Sequence, residues 1–258
     1  MRVLVKLGGT LLDETETRRR IAAELAQLAD EHEMVVVHGG GKQVTKFLDE
    51  QGIESRFAGG LRVSDEIVVD AVCKVIAGSV NKQLVSALIA EGCSAVGLSG
   101  VDGRLTPAIQ LSPDLGLVGD PEQSDPRLLK LLIESGYLPV IACVAGDAKG
   151  NIYNVNADRM AVSCAAGWQA AKLLFLTDVP GVRGAEGQVI SELTPQRSSK
   201  LVRSGVASGG MQAKLEAAGL ALELGIGEVV IASGRETAIC SRLLAGEAAG
   251  TRLRGGRQ

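Results

Sequence analysis

Six short runs of consecutive apolar, largely β-branched positions punctuate this 258-residue chain, and between them apolar residues recur at the three- and four-residue spacing of helices. Unbroken apolar runs fit strands buried on both faces, and the intervening segments fit helices that cover them. The pattern predicts strands over residues 2–6, 34–38, 94–98, 138–143, 171–176 and 228–232. It predicts helices over 16–32, 42–51, 64–91 with a break near 78–81, 126–135, 157–167, 198–204, 211–224 and 236–245. Ser64 ahead of Asp65 and Glu66, and Asp125 ahead of Pro126, carry the capping chemistry of helix starts. Between Gly100 and Gly119 the pattern loosens into short Gly- and Pro-punctuated runs, which predicts a hairpin at the rim of the sheet. The whole reads as an α/β fold with a mainly parallel central sheet covered by helices on both faces. A soft boundary at 167–172, where a helix ends and a new strand–helix series begins, separates a lobe of residues 1–170 from one of 171–258.

Composition narrows the function classes. Hydrophobic residues make up 46% and charged residues 22%, enough to bury a core and far from the composition of disordered chains. Twenty-seven Lys and Arg against 30 Asp and Glu leave a net charge of −3, without the basic footprint of a nucleic-acid binder. One Trp, two Tyr and three Phe cannot furnish stacking platforms for single strands or the aromatic belts of a membrane protein, so small aliphatics must fill the core. The five cysteines (Cys73, Cys93, Cys143, Cys164 and Cys240) are odd in number and never in a CxxC pair, which fits neither a zinc ribbon nor a disulfide framework. His32 and His38 alone cannot build a multi-histidine metal site, although Mg²⁺ held by carboxylates stays compatible. Met1-Arg2 leads straight into Val3-Leu4-Val5 without a targeting signal, and no apolar run reaches the roughly 18 residues of a spanning helix. The expectation is a cytoplasmic protein with reduced thiols.

The local chemistry lies where strands end. Val5-Lys6-Leu7-Gly8-Gly9 and Val37-His38-Gly39-Gly40-Gly41-Lys42 each run from a strand directly into glycines. Ligands of open parallel sheets bind at that edge, and paired glycines let backbone N–H groups crowd an anion. Either loop alone is satisfied as a tight turn; the two together, with Lys6 beside one and a helix opening after the other, point to anion binding. The standard phosphate signatures are absent: Val36 and Gln43 break the Walker loop, and Val44 breaks the dinucleotide pattern after Gly39 and Gly41. Gly97-Leu98-Ser99-Gly100-Val101 lacks the last glycine of a hydrolase nucleophile elbow. A third cluster, Ser208-Gly209-Gly210-Met211, opens a helix and puts Lys214 one turn inside, against the helix dipole; it is either a solvated lysine or one that wants an anion. In Asn154-Val155-Asn156-Ala157-Asp158 the short polar side chains suit helix capping, first of all Asn156, while Asp158 precedes an apolar run and calls for a lysine partner. Arg62, just before a helix start, is either a surface residue or a bidentate carboxylate binder.

In this order, KLGG at 6–9, HGGG at 38–41, GLRV at 60–63, NVNAD at 154–158, TDVPGV at 177–182 and GGMxxK at 209–214 resemble the amino acid kinase family across essentially the whole chain. KLGG is shared by several branches; GLRV with NVNAD and GGMxxK is most similar to members that phosphorylate N-acetyl-L-glutamate in arginine synthesis. The resemblance implies a three-layer αβα sandwich, with the acyl substrate on the first lobe and ATP with Mg²⁺ on the second. It implies Lys6 and Lys214 as stabilisers of the transferring phosphoryl group, with Asp158 orienting both. Gly8, Gly9, Gly40 and Gly41 would offer backbone N–H groups, and Arg62 and Asn154 would hold the α-carboxylate and acetamido end. Thr177, Asp178, Val179, Pro180, Gly181 and Val182, with Gly209, Gly210 and Met211, would contact the nucleotide. A carboxylate nucleophile is already ionised at neutral pH, so this chemistry asks for no catalytic histidine. The sequence departs from the family at Lys42-Gln43 and Gln212-Ala213, and the 98–104 stretch equally resembles the relative that phosphorylates a carrier-linked α-aminoadipyl group. Because the chain opens on its first strand, the resemblance implies an arginine-insensitive homodimer packed through the helix near Ser64. An arginine tail at Arg252, Arg254 and Arg257 is expected to be solvated and without function.

Overall fold

A computed structural model describes residues 1–255; Arg257 lies outside the described residues. Its main sheet holds β1 (Arg2–Leu7), β2 (Glu33–His38), β5 (Ala95–Ser99), β8 (Leu138–Ala142), β11 (Lys172–Thr177), β12 (Glu192–Leu193), β13 (Glu228–Ser233) and β14 (Thr251–Arg254). A second sheet holds β6 (Ala108–Gln110), β7 (Val118–Pro121), β9 (Val144–Gly146) and β10 (Ile152–Val155), and β3 (Phe57–Ala58) pairs with β4 (Leu61–Arg62) as a hairpin. The main sheet runs β12-β14-β13-β11-β1-β2-β8-β5. Its six strands from β13 to β5 are mutually parallel and are the six that hydrophobic patterning predicts, each within two residues of its predicted ends. Five of them are almost wholly buried because helices cover both faces, which is why they read as unbroken apolar runs, while β5 at the sheet edge is half-buried. Leu, Val, Ile and Ala fill the core, with Trp168 and Phe175 as its largest fully buried side chains.

Three expectations need correction. The 100–119 segment does form an antiparallel pair, β6 with β7, but in the second sheet rather than at the rim of the main one. The helix expected to break near Gly78 instead runs on from Glu66 to Ala90, because a π-helical stretch, Cys73–Val80, absorbs the irregularity with wider hydrogen-bonded turns. That helix is long and apolar enough to span a membrane by composition, yet Val68, Val72, Ile76, Val80, Leu84 and Leu88 lie buried in the core. Finally, Arg252 and Arg254 are not a solvated tail: they belong to β14, antiparallel to β13, and both bind Glu228.

Candidate active site

The strand ends bring two glycine loops together. Gly9 opens the short helix Gly9–Asp13, and Gly40 precedes Gly41–Glu50. A Cβ on Gly9 would lie 3.1 Å from both the N and the Cα of Gly40, so the two loops approach as closely as glycine allows. Gln43 holds them in that position, its Nε2 donating to the Gly9 carbonyl at 2.9 Å. Its Oε1 is buried beside the same two glycines without a protein donor. Gly8 is different from the expectation: its N–H donates to the Leu176 carbonyl at 2.9 Å within the sheet, so it has no N–H to offer an anion. The first-turn N–H groups of Gly41–Glu50 have no intrahelical acceptor and stay free for an anion.

Next to these loops sits a buried charge cluster. Lys6, near the end of β1, places Nζ 2.7 Å from Asp158 Oδ1, and Lys214, in helix Gly209–Glu223, places Nζ 3.3 Å from Asp158 Oδ2. Lys6 and Asp158 are each 5% exposed. Burial pushes the Asp158 carboxyl up, but the two ammonium groups more than offset this and hold it below its ordinary value. Burial lowers Lys214, with Asp158 working the other way. Two lysines against one carboxylate leave the centre one positive charge in excess. Asn156 caps helix Ala157–Trp168, its Oδ1 accepting from the N–H groups of Asp158 and Arg159, which fixes Asp158 on the first turn. Lys214, as its position against the helix dipole requires, has found its carboxylate.

Gly40, Gly41, Arg62 and Asn154 line one cavity of about 170 Å³, together with Phe57, Val118 and Cys143. Arg62 is held rather than free: Nη2 donates to the Gly41 carbonyl at 2.8 Å and to Thr45 Oγ1 at 2.7 Å, Nη1 donates to Ser55, and its guanidinium lies 4.7 Å over the Phe57 ring. Those three bonds leave two of its five N–H donors for a ligand. Asn154 Nδ2 donates to Ser64 Oγ, which donates to the Arg62 carbonyl, so the two cavity residues share one chain of bonds. This is where the sequence reading of Ser64 as a helix cap fails. Asp65 caps that helix, accepting from the Val68 N–H, and Ser64 is buried behind the cavity, bonded to Arg62 and Asn154.

The nucleotide candidates divide. Asp178, Val179 and Pro180 present surface after β11, and Asp178 lies close enough to Lys214 to raise its pKa. Gly181 and Val182 turn inward: the Val182 side chain is fully buried and its N–H donates to Thr251 Oγ1 at 2.8 Å. Thr177 is buried too, its hydroxyl donating to Asp178. Gly209 starts its helix at φ +55°, and no protein atom lies within 4 Å of a Cβ placed on it or on Gly210. Met211 is half-buried against the core.

Residue-type reasoning missed the supports: Gln43, Ser55, Thr45, Ser64 and the pair His38–Asn81. Their sequence signals are ordinary, since each acts through a partner remote in the chain. His38 is fully buried and held neutral, its pKa lowered to about 4 by burial. Nδ1 meets the Gly39 carbonyl at 2.9 Å and Nε2 meets Asn81 Nδ2 at 3.0 Å, which makes Nδ1 the protonated nitrogen. Asn81, just after the π-helical stretch, also donates to the Val140 carbonyl of β8, so it ties that helix to His38 and to the sheet. Cys143, in the cavity wall, is pushed up to about 11 by burial despite nearby Lys6 and is a thiol, not a nucleophile.

Comparison with known proteins agrees with this geometry. The profile described as "Amino acid kinase family" matches residues 1–233. A relative from Solibacter usitatus named acetylglutamate kinase is 53% identical, covering 98% of this chain and 99% of its own. Another of that name from Acidobacterium capsulatum is 45% identical over 90% of each chain. Among solved structures, N-acetylglutamate synthase from Neisseria gonorrhoeae, crystallised with coenzyme A and N-acetyl-glutamate, superimposes with a TM-score of 0.88 at 23% identity, covering all of this chain and 60% of that one. At that identity it shows the shared fold alone.

Proposed function

The chain belongs to the amino acid kinase family, and from that premise we propose that it transfers the γ-phosphoryl group of Mg-ATP to the side-chain carboxylate of N-acetyl-L-glutamate, giving N-acetyl-L-glutamyl 5-phosphate and ADP in arginine biosynthesis. The observation that carries this reading is the Lys6–Asp158–Lys214 cluster beside the glycine-lined cavity. A buried surplus of positive charge suits a reaction in which negative charge redistributes between two anions.

Arg62 and Asn154 bind the α-carboxylate and the acetamido group, leaving the side-chain carboxylate directed at the Gly40–Gly41 end of the cavity. The first-turn N–H groups of Gly41–Glu50 steady that carboxylate. Lys6 and Lys214 stabilise the phosphoryl oxygens as the bond to ADP breaks and the bond to the acyl oxygen forms. Asp158 has both oxygens paired with lysine, which fits an orienting role and not a metal ligand. Gly209 and Gly210, with Asp178 to Pro180, hold the nucleotide on the second lobe; no cluster of three potential side-chain ligands occurs among the described residues, so Mg²⁺ would be carried by the nucleotide phosphates and would screen their charge when bound. No proton moves, because the nucleophile is already a carboxylate. The working form is a cytoplasmic homodimer packed through the Glu66–Ala90 helix, whose Ile67 and Ile89 are exposed.

The test is a Mg-ATP assay with hydroxylamine trapping of acyl phosphate, offering N-acetyl-L-glutamate, L-glutamate, L-aspartate and N-acetyl-α-aminoadipate. Hydroxamate is expected from N-acetyl-L-glutamate. Product only from the aminoadipyl compound, or from none of the four despite ATP binding, overturns the proposal.

A further inference from the structure

The substrate cavity has a larger neighbour across the wall at its acetyl side. Leu61, Val118 and Asn156 line the cavity and also line this second chamber of about 390 Å³, more than twice as large. That shared wall lies at the acyl end, where Val118 is the strand partner of Asn154. Beyond it the near wall is apolar, made by Leu111 on one side and by Ala213, Ala217 and Leu220 of helix Gly209–Glu223 on the other. Ala213, Ala217 and Leu220 follow the three- and four-residue spacing of one helix face, so this wall is largely aliphatic, with Glu216 on the same face. Its charged groups are engaged elsewhere: Arg159 binds Asp120, and Glu216 accepts from Gln212.

We propose that this chamber receives the tail of longer N-acyl groups, so that the enzyme phosphorylates N-butanoyl- and N-hexanoyl-L-glutamate as well as the acetyl compound. The inference rests on the reading of the first cavity as the N-acyl-glutamate site. A pocket closed behind the acetyl methyl discriminates against each added methylene by about tenfold or more, whereas one that opens into an aliphatic chamber does not.

The experiment compares kcat/KM for N-acetyl-, N-butanoyl- and N-hexanoyl-L-glutamate in the hydroxamate assay, for the native chain and for Ala213→Leu and Leu220→Trp, with thermal melts to verify folding. The expected result is kcat/KM for both longer substrates within about tenfold of acetyl in the native chain. In at least one folded, chamber-filling variant, N-hexanoyl turnover should fall about tenfold or more while acetyl turnover holds. The two substitutions lie two turns apart on that helix face, so misfolding of one leaves the other as the test. Turnover of the acetyl compound alone, or equal losses on all three substrates in the variants, overturns the inference and leaves the proposed function standing. No turnover of any N-acyl-glutamate overturns both.

Discussion

The main sheet carries a buried ion cluster at each end of its parallel strands, and the two are alike in composition but not in state. At the carboxyl ends, Asp158 sits between Lys6 and Lys214. At the amino ends, Glu228 sits among Lys172, Arg252 and Arg254, in a register that sets Lys172, Glu228 and Arg254 side by side across β11, β13 and β14. Both have more cations than carboxylates. The Glu228 cluster is closed on itself: Arg252 spends both Nη2 donors on the Glu247 and Leu243 carbonyls and one Nη1 donor on Glu228, and Arg254 engages Glu228 through two nitrogens. The Asp158 cluster is open, faced by glycines and by helix N-termini that lack acceptors. A buried ion cluster alone therefore does not mark a functional site; unspent donors beside it do.

Substitution should separate the two ends. Lys6→Ala and Lys214→Ala are each expected to lower kcat by a hundredfold or more, the scale of losing one preorganised stabiliser, with little change in the denaturation midpoint. Near-normal turnover in either variant would collapse the distinction. Glu228→Ala should do the reverse, costing on the order of 3 kcal/mol of stability by stranding buried cations, while kcat of the folded enzyme holds; urea unfolding and kcat measured on one preparation decide it.

A pH titration sharpens the contrast at the open end. His38 stays neutral down to about pH 4 in the folded chain and takes a proton near 6.5 when unfolded. Between those values the unfolded state binds more protons, so stability falls with pH, by about 2 kcal/mol from pH 7 to 5, and levels off below 4. His38→Gln should flatten that slope in melts taken across the range, and an unchanged slope would place its origin elsewhere. The smallest effect belongs to Gln43→Ala: losing the bond to Gly9 is worth about 1 kcal/mol, so kcat/KM should drop about fivefold. A drop confined to stability would make Gln43 a packing residue only.

How much of this was legible before folding depends on how far apart the cooperating residues lie. The parallel strands announce themselves because burial on both faces forces an unbroken apolar run of local sequence. The glycine loops and Lys6 are legible for the same reason, being contiguous with a strand end. Asn156 caps its helix as its residue type predicts. Strands β9, β10, β12 and β14 were not legible, since two- to four-residue strands carry too few positions for a period, and Arg252 and Arg254 looked like a tail until β13 supplied a partner.

By itself the sequence determined the α/β class, the edge of the sheet where ligands gather and the residue types able to manage phosphate charge, because each is written in neighbouring positions. Only the tertiary structure decided that Asp158 meets two lysines drawn from positions 6 and 214, that Gly8 spends its N–H on the sheet while Gly41 keeps a helix end open, and that a larger second chamber shares a wall with the acyl cavity. Those outcomes depend on contacts across more than fifty residues or on which backbone donors the sheet has already consumed, and no local pattern encodes either.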